Sequence, residues 1–178
     1  MSAPRYFDGD TFTREGVAFR FRSEADDMLR MPWKEDEGHG AVSEWTRRDK
    51  RPGEVIIASD HGSHLFYDLA EATSIALRDG WGIPNKGRDA TAREVAAMAA
   101  SLDCDRMRRY CDDLWHYLGI IVDRIDSDGA VIDTTSLWGI ESDSGLEYFA
   151  EVAHELADEL LGAYHAHEAK IDAVMAGL

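Results

Sequence analysis

Cysteine is nearly absent from this 178-residue chain, and the two present, Cys104 and Cys111, are seven positions apart on one helical stretch. That spacing puts them about two turns apart, too far to bridge, and no companion ligands surround them. A disulfide scaffold is excluded, and reduced thiols in a cytosolic compartment are expected. No stretch reaches the ~18 consecutive apolar residues of a membrane-spanning helix. The opening residues Met1-Ser-Ala-Pro-Arg5-Tyr-Phe-Asp-Gly-Asp10 lack the apolar core of an export signal. A soluble protein, neither exported nor membrane-bound, is the expectation. No glycine-rich loop ending in Lys-Ser/Thr and no Gly-x-Ser-x-Gly elbow is present, so nucleotide and acyl-transfer chemistry have no local support.

Basic residues are the last scarcity, and the most telling. From Cys111 to Leu178 fifteen carboxylates face only Arg124 and Lys170, a net −13 of the whole-chain −16. The segments 1–50 and 51–100 are nearly balanced at −2 each. Such a field repels nucleic acid and anionic membranes and attracts basic protein surfaces. The single basic cluster, Arg47-Arg48-Asp49-Lys50-Arg51, is one short loop working against that body. Its side chains are expected to pair with acids or stay solvated rather than bind nucleic acid.

A chain with 44% hydrophobic residues can bury one good core, and composition gives no reason to split it. One domain over 1–178 is the expectation. Three hairpins are predicted. The first joins Thr11–Arg14 to a strand beginning at Val17, in which Val17, Phe19 and Phe21 alternate with Arg20 and Arg22. The second joins Glu54–Ser59 to His64–Tyr67, and the third joins Tyr117–Ile125 to Ala130–Ile140 around Asp126-Ser127-Asp128-Gly129.

Capping-box spacing, an N-cap oxygen with a carboxylate three residues on, marks three helix starts. The pairs are Asp68 with Glu71, Thr91 with Glu94 and Ser144 with Glu147. The first helix closes at Gly80, and the second runs to about Trp115 with a bend expected near 102–105. In the third, Leu146, Phe149, Ala153, Leu156, Leu160, Ala163, His167, Ile171 and Val174 recur at spacings of three and four, one apolar face. Periodicity vanishes over about 26–53, a length usually functional or mobile. The fold class is α+β: an antiparallel sheet of hairpins packed by three helices, the last long and amphipathic.

Two constellations resemble metal sites. His154-Glu155 with Asp158, followed by Gly162 and His165, has the i, i+4 ligand spacing of zinc hydrolases. The glycine and third ligand fall one place late, which rotates each by about 100°. Ligation by His154, Asp158 and His165 stays as a second reading, a small metal-dependent hydrolase. Asp126-Ser127-Asp128-Gly129 resembles a calcium loop, yet with Gly129 sixth, Arg124 and Thr135 fall where Asp and Glu are required. A hairpin turn is expected there, and no cofactor is implied.

Five tryptophans stand at 33, 45, 81, 115 and 138. Burial is expected for Trp81, Trp115 and Trp138, with Trp115 beside Trp138. Trp33 and Trp45, in the aperiodic stretch, are candidate anchors for a partner. On the last helix Glu147, Glu151, Glu155 and Glu159 form a row stepping ~6 Å, with Asp158 beside it. One strand of a duplex steps its phosphates by ~3.4 Å, so imitation of DNA needs a second row. Asp123, Asp126, Asp128, Asp133, Glu141 and Asp143 are its candidates.

The segments Glu44-Trp-Thr-Arg-Arg-Asp-Lys-Arg-Pro-Gly-Glu54, Phe66-Tyr-Asp68 with Arg78-Asp-Gly-Trp-Gly82, Trp115-His-Tyr-Leu-Gly-Ile-Ile-Val122 and Ser136-Leu-Trp-Gly-Ile-Glu-Ser-Asp143 resemble a family of uncharacterised acidic bacteriophage and prophage proteins. The resemblance spans roughly Trp33 to Leu160 and carries no catalytic residue. It implies a phage accessory protein in the host cytoplasm, acting on a host or phage protein, restriction and CRISPR machinery included. A structural or regulatory phage protein is the third reading. The expected partner is a basic protein surface, met by Glu147, Glu151, Glu155, Asp158, Asp126 and Asp128, with Trp33 or Trp45 as apolar anchors.

Overall fold

A computed structural model describes residues 4–28, 31–34, 39–83 and 89–176. Its strands are β1 (Thr11–Arg14), β2 (Val17–Ala25), β3 (Ala41–Val42), β4 (Glu54–Asp60), β5 (Ser63–Asp68), β6 (Tyr117–Ile125) and β7 (Val131–Glu141). Its helices are α1 (Leu69–Asp79), α2 (Ala92–Cys111) and α3 (Leu146–Ala176). The class is α+β, with every strand pair antiparallel. Among the described residues, no helix is long and apolar enough to cross a membrane.

The elements form two compact units, one from residues 1–29 and 116–178 and the other from 30–115. The first is a four-stranded sheet, β1-β2-β6-β7, with α3 across β6 and β7. The β1–β2 hairpin turns on Glu15 (φ 50°) and Gly16 (φ 80°). Two positive φ values match the right-handed twist of the strands they join, which is why glycine takes the second place. Phe19 and Phe21 from β2, with Leu118, Ile120 and Val122 from β6, point to one face. They meet Phe149, Val152, Ala153, Leu156 and Leu160 of α3 in a single buried cluster. Each large side chain so buried contributes about 1.5–3 kcal/mol, so this contact fixes which side of α3 faces solvent.

The apolar face of α3 is buried only to Leu161, while Ile171, Val174 and Met175 are about half exposed or more. Length explains the shortfall from the expected stripe. A helix of 31 residues spans about 46 Å, more than the nine-residue strand beneath it, about 30 Å. The start of α3 also differs from the box at Ser144. The Phe149 N–H donates to the Gly145 carbonyl, which makes Gly145 the capping position, and the Glu147 carboxylate turns to Arg5.

The second unit is the sheet β3-β5-β4, covered by α1 and α2. Asp68 accepts from the Ala70 and Glu71 amides to start α1, and Gly80 (φ 71°) ends it. The Thr91 and Glu94 box starts α2, which runs unbroken to Cys111. The aperiodic stretch acquires several footholds here, among them a bridge from Thr46 to His64. Ala41 and Val42 pair with Asp68 and Tyr67, and the Asp103 carboxylate accepts from the Gly40 amide at 2.7 Å and the Tyr67 hydroxyl at 2.6 Å. Trp115 is buried, its indole N–H donating to the Arg106 carbonyl. Trp138 is not: it is 45% exposed, lying flat on Gly119. The ladder pairs Ile120 with Leu137, which sets Trp138 next to Gly119 and not opposite Tyr117 as expected.

A candidate protein-binding face on the last helix

Because the apolar face of α3 is committed to the sheet, its carboxylates divide between a flank toward β1 and the outward back. The flank is matched by cations from the N-terminal segment. Arg5 pairs with Glu147 at 3.2 Å, and Arg14 grips Asp158 with two nitrogens at 2.6 and 2.7 Å. Glu151, Glu155 and Glu159 are exposed, and no cation or hydrogen-bond donor among the described residues meets them. Like charges at i, i+4 cost a helix about 0.2–0.5 kcal/mol per pair. The back of α3 therefore carries an uncompensated stripe that a cationic surface would relieve.

His154 lies on the matched flank, enclosed by Tyr6 and Phe12. Burial pushes its imidazolium form down, Arg14 adds to this, and Asp158 only partly offsets them. Burial likewise holds the Tyr6 phenol above its ordinary range. The Tyr6 hydroxyl lies 2.7 Å from Nε2 of His154, so that ring nitrogen is already engaged by a neighbour. With Asp158 held by Arg14 and His165 exposed, the hydrolase-like residues are spread over separate tasks. Among the described residues, no group of three His, Cys, Asp or Glu side chains could hold a metal ion.

The candidates for a second acidic row are divided between the two ends of the sheet. Asp126 and Asp128 are at the β6–β7 turn, where the Asp126 carboxylate accepts from the Asp128 and Ala130 amides at 2.9 and 2.8 Å. Glu141 and Asp143 are at the opposite end, where β7 leads into α3. Between them Asp133 is tied to Arg124. Asp123 is 2% exposed and bound by Arg22 and Thr134. Burial opposes its ionisation, yet those hydrogen bonds and the charges of Arg22 and Arg20 outweigh it and hold the carboxyl below its ordinary range.

Trp33 and Trp45 belong to the second unit. Trp33 packs edge-on against Tyr110 at 5.9 Å, while Trp45 is 43% exposed. In the basic cluster, Arg48 forms a two-pronged pair with Glu54 at 2.7 and 2.6 Å and stacks on Phe66. The Arg48 hydrogen bond, helped by the Arg51 amide and both charges, draws the Glu54 carboxyl down to about 2 against the opposing effect of burial.

The residues that the sequence did not offer are Arg5, Tyr6 and Arg14. Nothing in their spacing links them to a helix about 140 residues later, and only the order of strands brings β1 to α3. Set against protein-family models, curated proteins and solved structures, the chain matches none of them.

Proposed function

We propose that this chain is a non-catalytic binding protein whose α3 back takes up a basic surface of another protein. In the phage setting suggested by the resemblance, that is a host or phage protein, with defence machinery as the first place to look. One observation carries the proposal: Glu151, Glu155 and Glu159 stand exposed and unmatched while their neighbours Glu147 and Asp158 are paired with arginines. The groups suited to catalysis are occupied internally, His154 by Tyr6 and Asp158 by Arg14. A single stripe stepping ~6 Å suits lysines and arginines on a protein surface, and imitation of a duplex is not required.

The test is capture of partners from a bacterial host lysate at low and high salt. Exposed charges are screened over about 10 Å at 0.1 M salt, so capture should fall steeply as salt rises. Changing Glu151, Glu155 and Glu159 together to Gln should abolish it. Capture by the triple variant equal to that by the parent at both salts removes the proposal.

A further inference from the structure

β7 is the last strand in the order β1-β2-β6-β7, so among the described residues one of its edges has no neighbouring strand. Its pairing with β6 is irregular near Ile132 and again near Trp138, and regular between them over Asp133–Leu137. A free edge presents a row of unpaired N–H and C=O groups, which proteins usually blunt with lysine, proline or bulges. Here bulges bound the run, but within Asp133-Thr-Thr-Ser-Leu137 there is neither lysine nor proline. Its one charge, Asp133, is neutralised by Arg124. Leu137 and Trp138 are 44% and 45% exposed. Apart from the ladder to β6, no backbone hydrogen bond among the described residues involves Asp133–Leu137.

Both sides of this edge offer concavities. On the α3 side a cleft of about 400 Å³ runs between Asp133 and Thr134 of β7 and Leu160, Ala163, Tyr164 and His167 of α3, with Arg124 of β6, neutralised by Asp133, in its wall. On the other side a hollow of about 450 Å³, mostly apolar, is walled by Ala25, Asp26, Asp27, Met28 and Trp138. The charge above the edge is one-sided. Glu147 and His154 face the segment ahead of β1, and Asp158 faces β1 itself. At 100° per residue, Glu159 falls on the opposite flank, above β7, with Glu155 at its outer border.

We infer that β7 is the docking edge for an extended basic segment of the partner, added as a further strand alongside Asp133–Leu137. Residues of a strand alternate between faces. One set of the segment's side chains, lysine or arginine, reaches Glu155 and Glu159 over the cleft. The other set is apolar and packs on Trp138. Main-chain pairing supplies affinity and the two faces supply selectivity. A second copy of this chain is the wrong occupant, because it would bring its own −16 against the same carboxylates. This inference rests on the acidic-face proposal and adds the shape of the ligand to it.

The probe is a short peptide alternating lysine and valine, titrated against the full chain by calorimetry, with amide hydrogen exchange recorded over Asp133–Leu137. The control has the same sequence with N-methylated backbone amides, keeping its charge but unable to pair. Expected are about tenfold tighter binding of the unmodified peptide, slowed exchange along Asp133–Leu137, and weakening of both peptides by Glu155→Gln with Glu159→Gln. Equal binding of the two peptides, still weakened by those substitutions, overturns strand docking and leaves the acidic face standing. Failure of the unmodified peptide to bind overturns strand docking, and so does concentration-dependent protection of β7 without peptide, which would identify a second copy as the occupant.

Discussion

The Tyr6 hydroxyl lies 2.7 Å from Nε2 of His154, joining the N-terminal segment to the middle of the last helix. The ring at this contact is half-buried, which links it to pH. The folded state holds His154 below its ordinary 6.5, through burial first and the Arg14 charge second. A base whose folded pKa is depressed binds its proton later than the unfolded chain does. Its stabilisation is therefore complete above 6.5 and is lost as pH falls from there through the folded value. Thermal melts from pH 8 to 5 should show a decline in Tm that is shallower in His154→Gln. Tyr6→Phe should cost about 1 kcal/mol at pH 8.

Two glycines are predicted to differ in what they tolerate. A Cβ at Gly40 would lie within 2.1–2.8 Å of the buried Tyr67 hydroxyl and Ala72, which have no room to move. At Gly119 it would meet the Trp138 ring at 2.4–2.7 Å, and that ring is half exposed. Gly40→Ala should therefore cost more than Gly119→Ala, with overpacking typically at about 1–3 kcal/mol. Trp138→Ala should relieve much of the cost of Gly119→Ala and none of Gly40→Ala. Denaturant melts of the single and double variants decide this.

Cys104 should be inert in the folded chain. It is 4% exposed, and burial pushes its thiol up to about 11, with the Asp105 and Asp103 charges assisting against Arg108. Since the thiolate is the nucleophile, alkylation at pH 8 should be slow until denaturant is added. Rapid modification of Cys104 without denaturant would contradict the packing of α2 against its sheet.

Local chemistry was legible in the sequence and long-range pairing was not. The Glu15-Gly16 and Asp126–Gly129 turns and the Thr91 with Glu94 box depend on neighbours within a few positions, and they stand as read, while at Asp68 the cap forms without a return bond from Glu71 among the described residues. The apolar stripe of α3 was legible too, but its periodicity says which face is greasy and not how much sheet lies beneath. Burial therefore stops at Leu161. Trp138 was misplaced because the register of a ladder leaves no trace in alternation. Of the candidate site, the row Glu151, Glu155 and Glu159 could be read from spacing alone. Which carboxylates stay unmatched could not, because Arg5, ahead of β1, and Arg14, at its end, arrive from more than 130 residues away.

The central claim is that the unmatched carboxylates, and not the acidic end as a whole, hold a basic partner. Its most direct measurement is the affinity for a lysine-rich peptide as a function of salt, in the parent, in Glu151→Gln/Glu155→Gln/Glu159→Gln and in Glu147→Gln alone. The parent and the Glu147 variant should share a steep salt dependence, and the triple variant should lose both the affinity and the slope. Equal slopes in all three, or a larger loss from the paired Glu147 than from the unmatched three, would contradict the account.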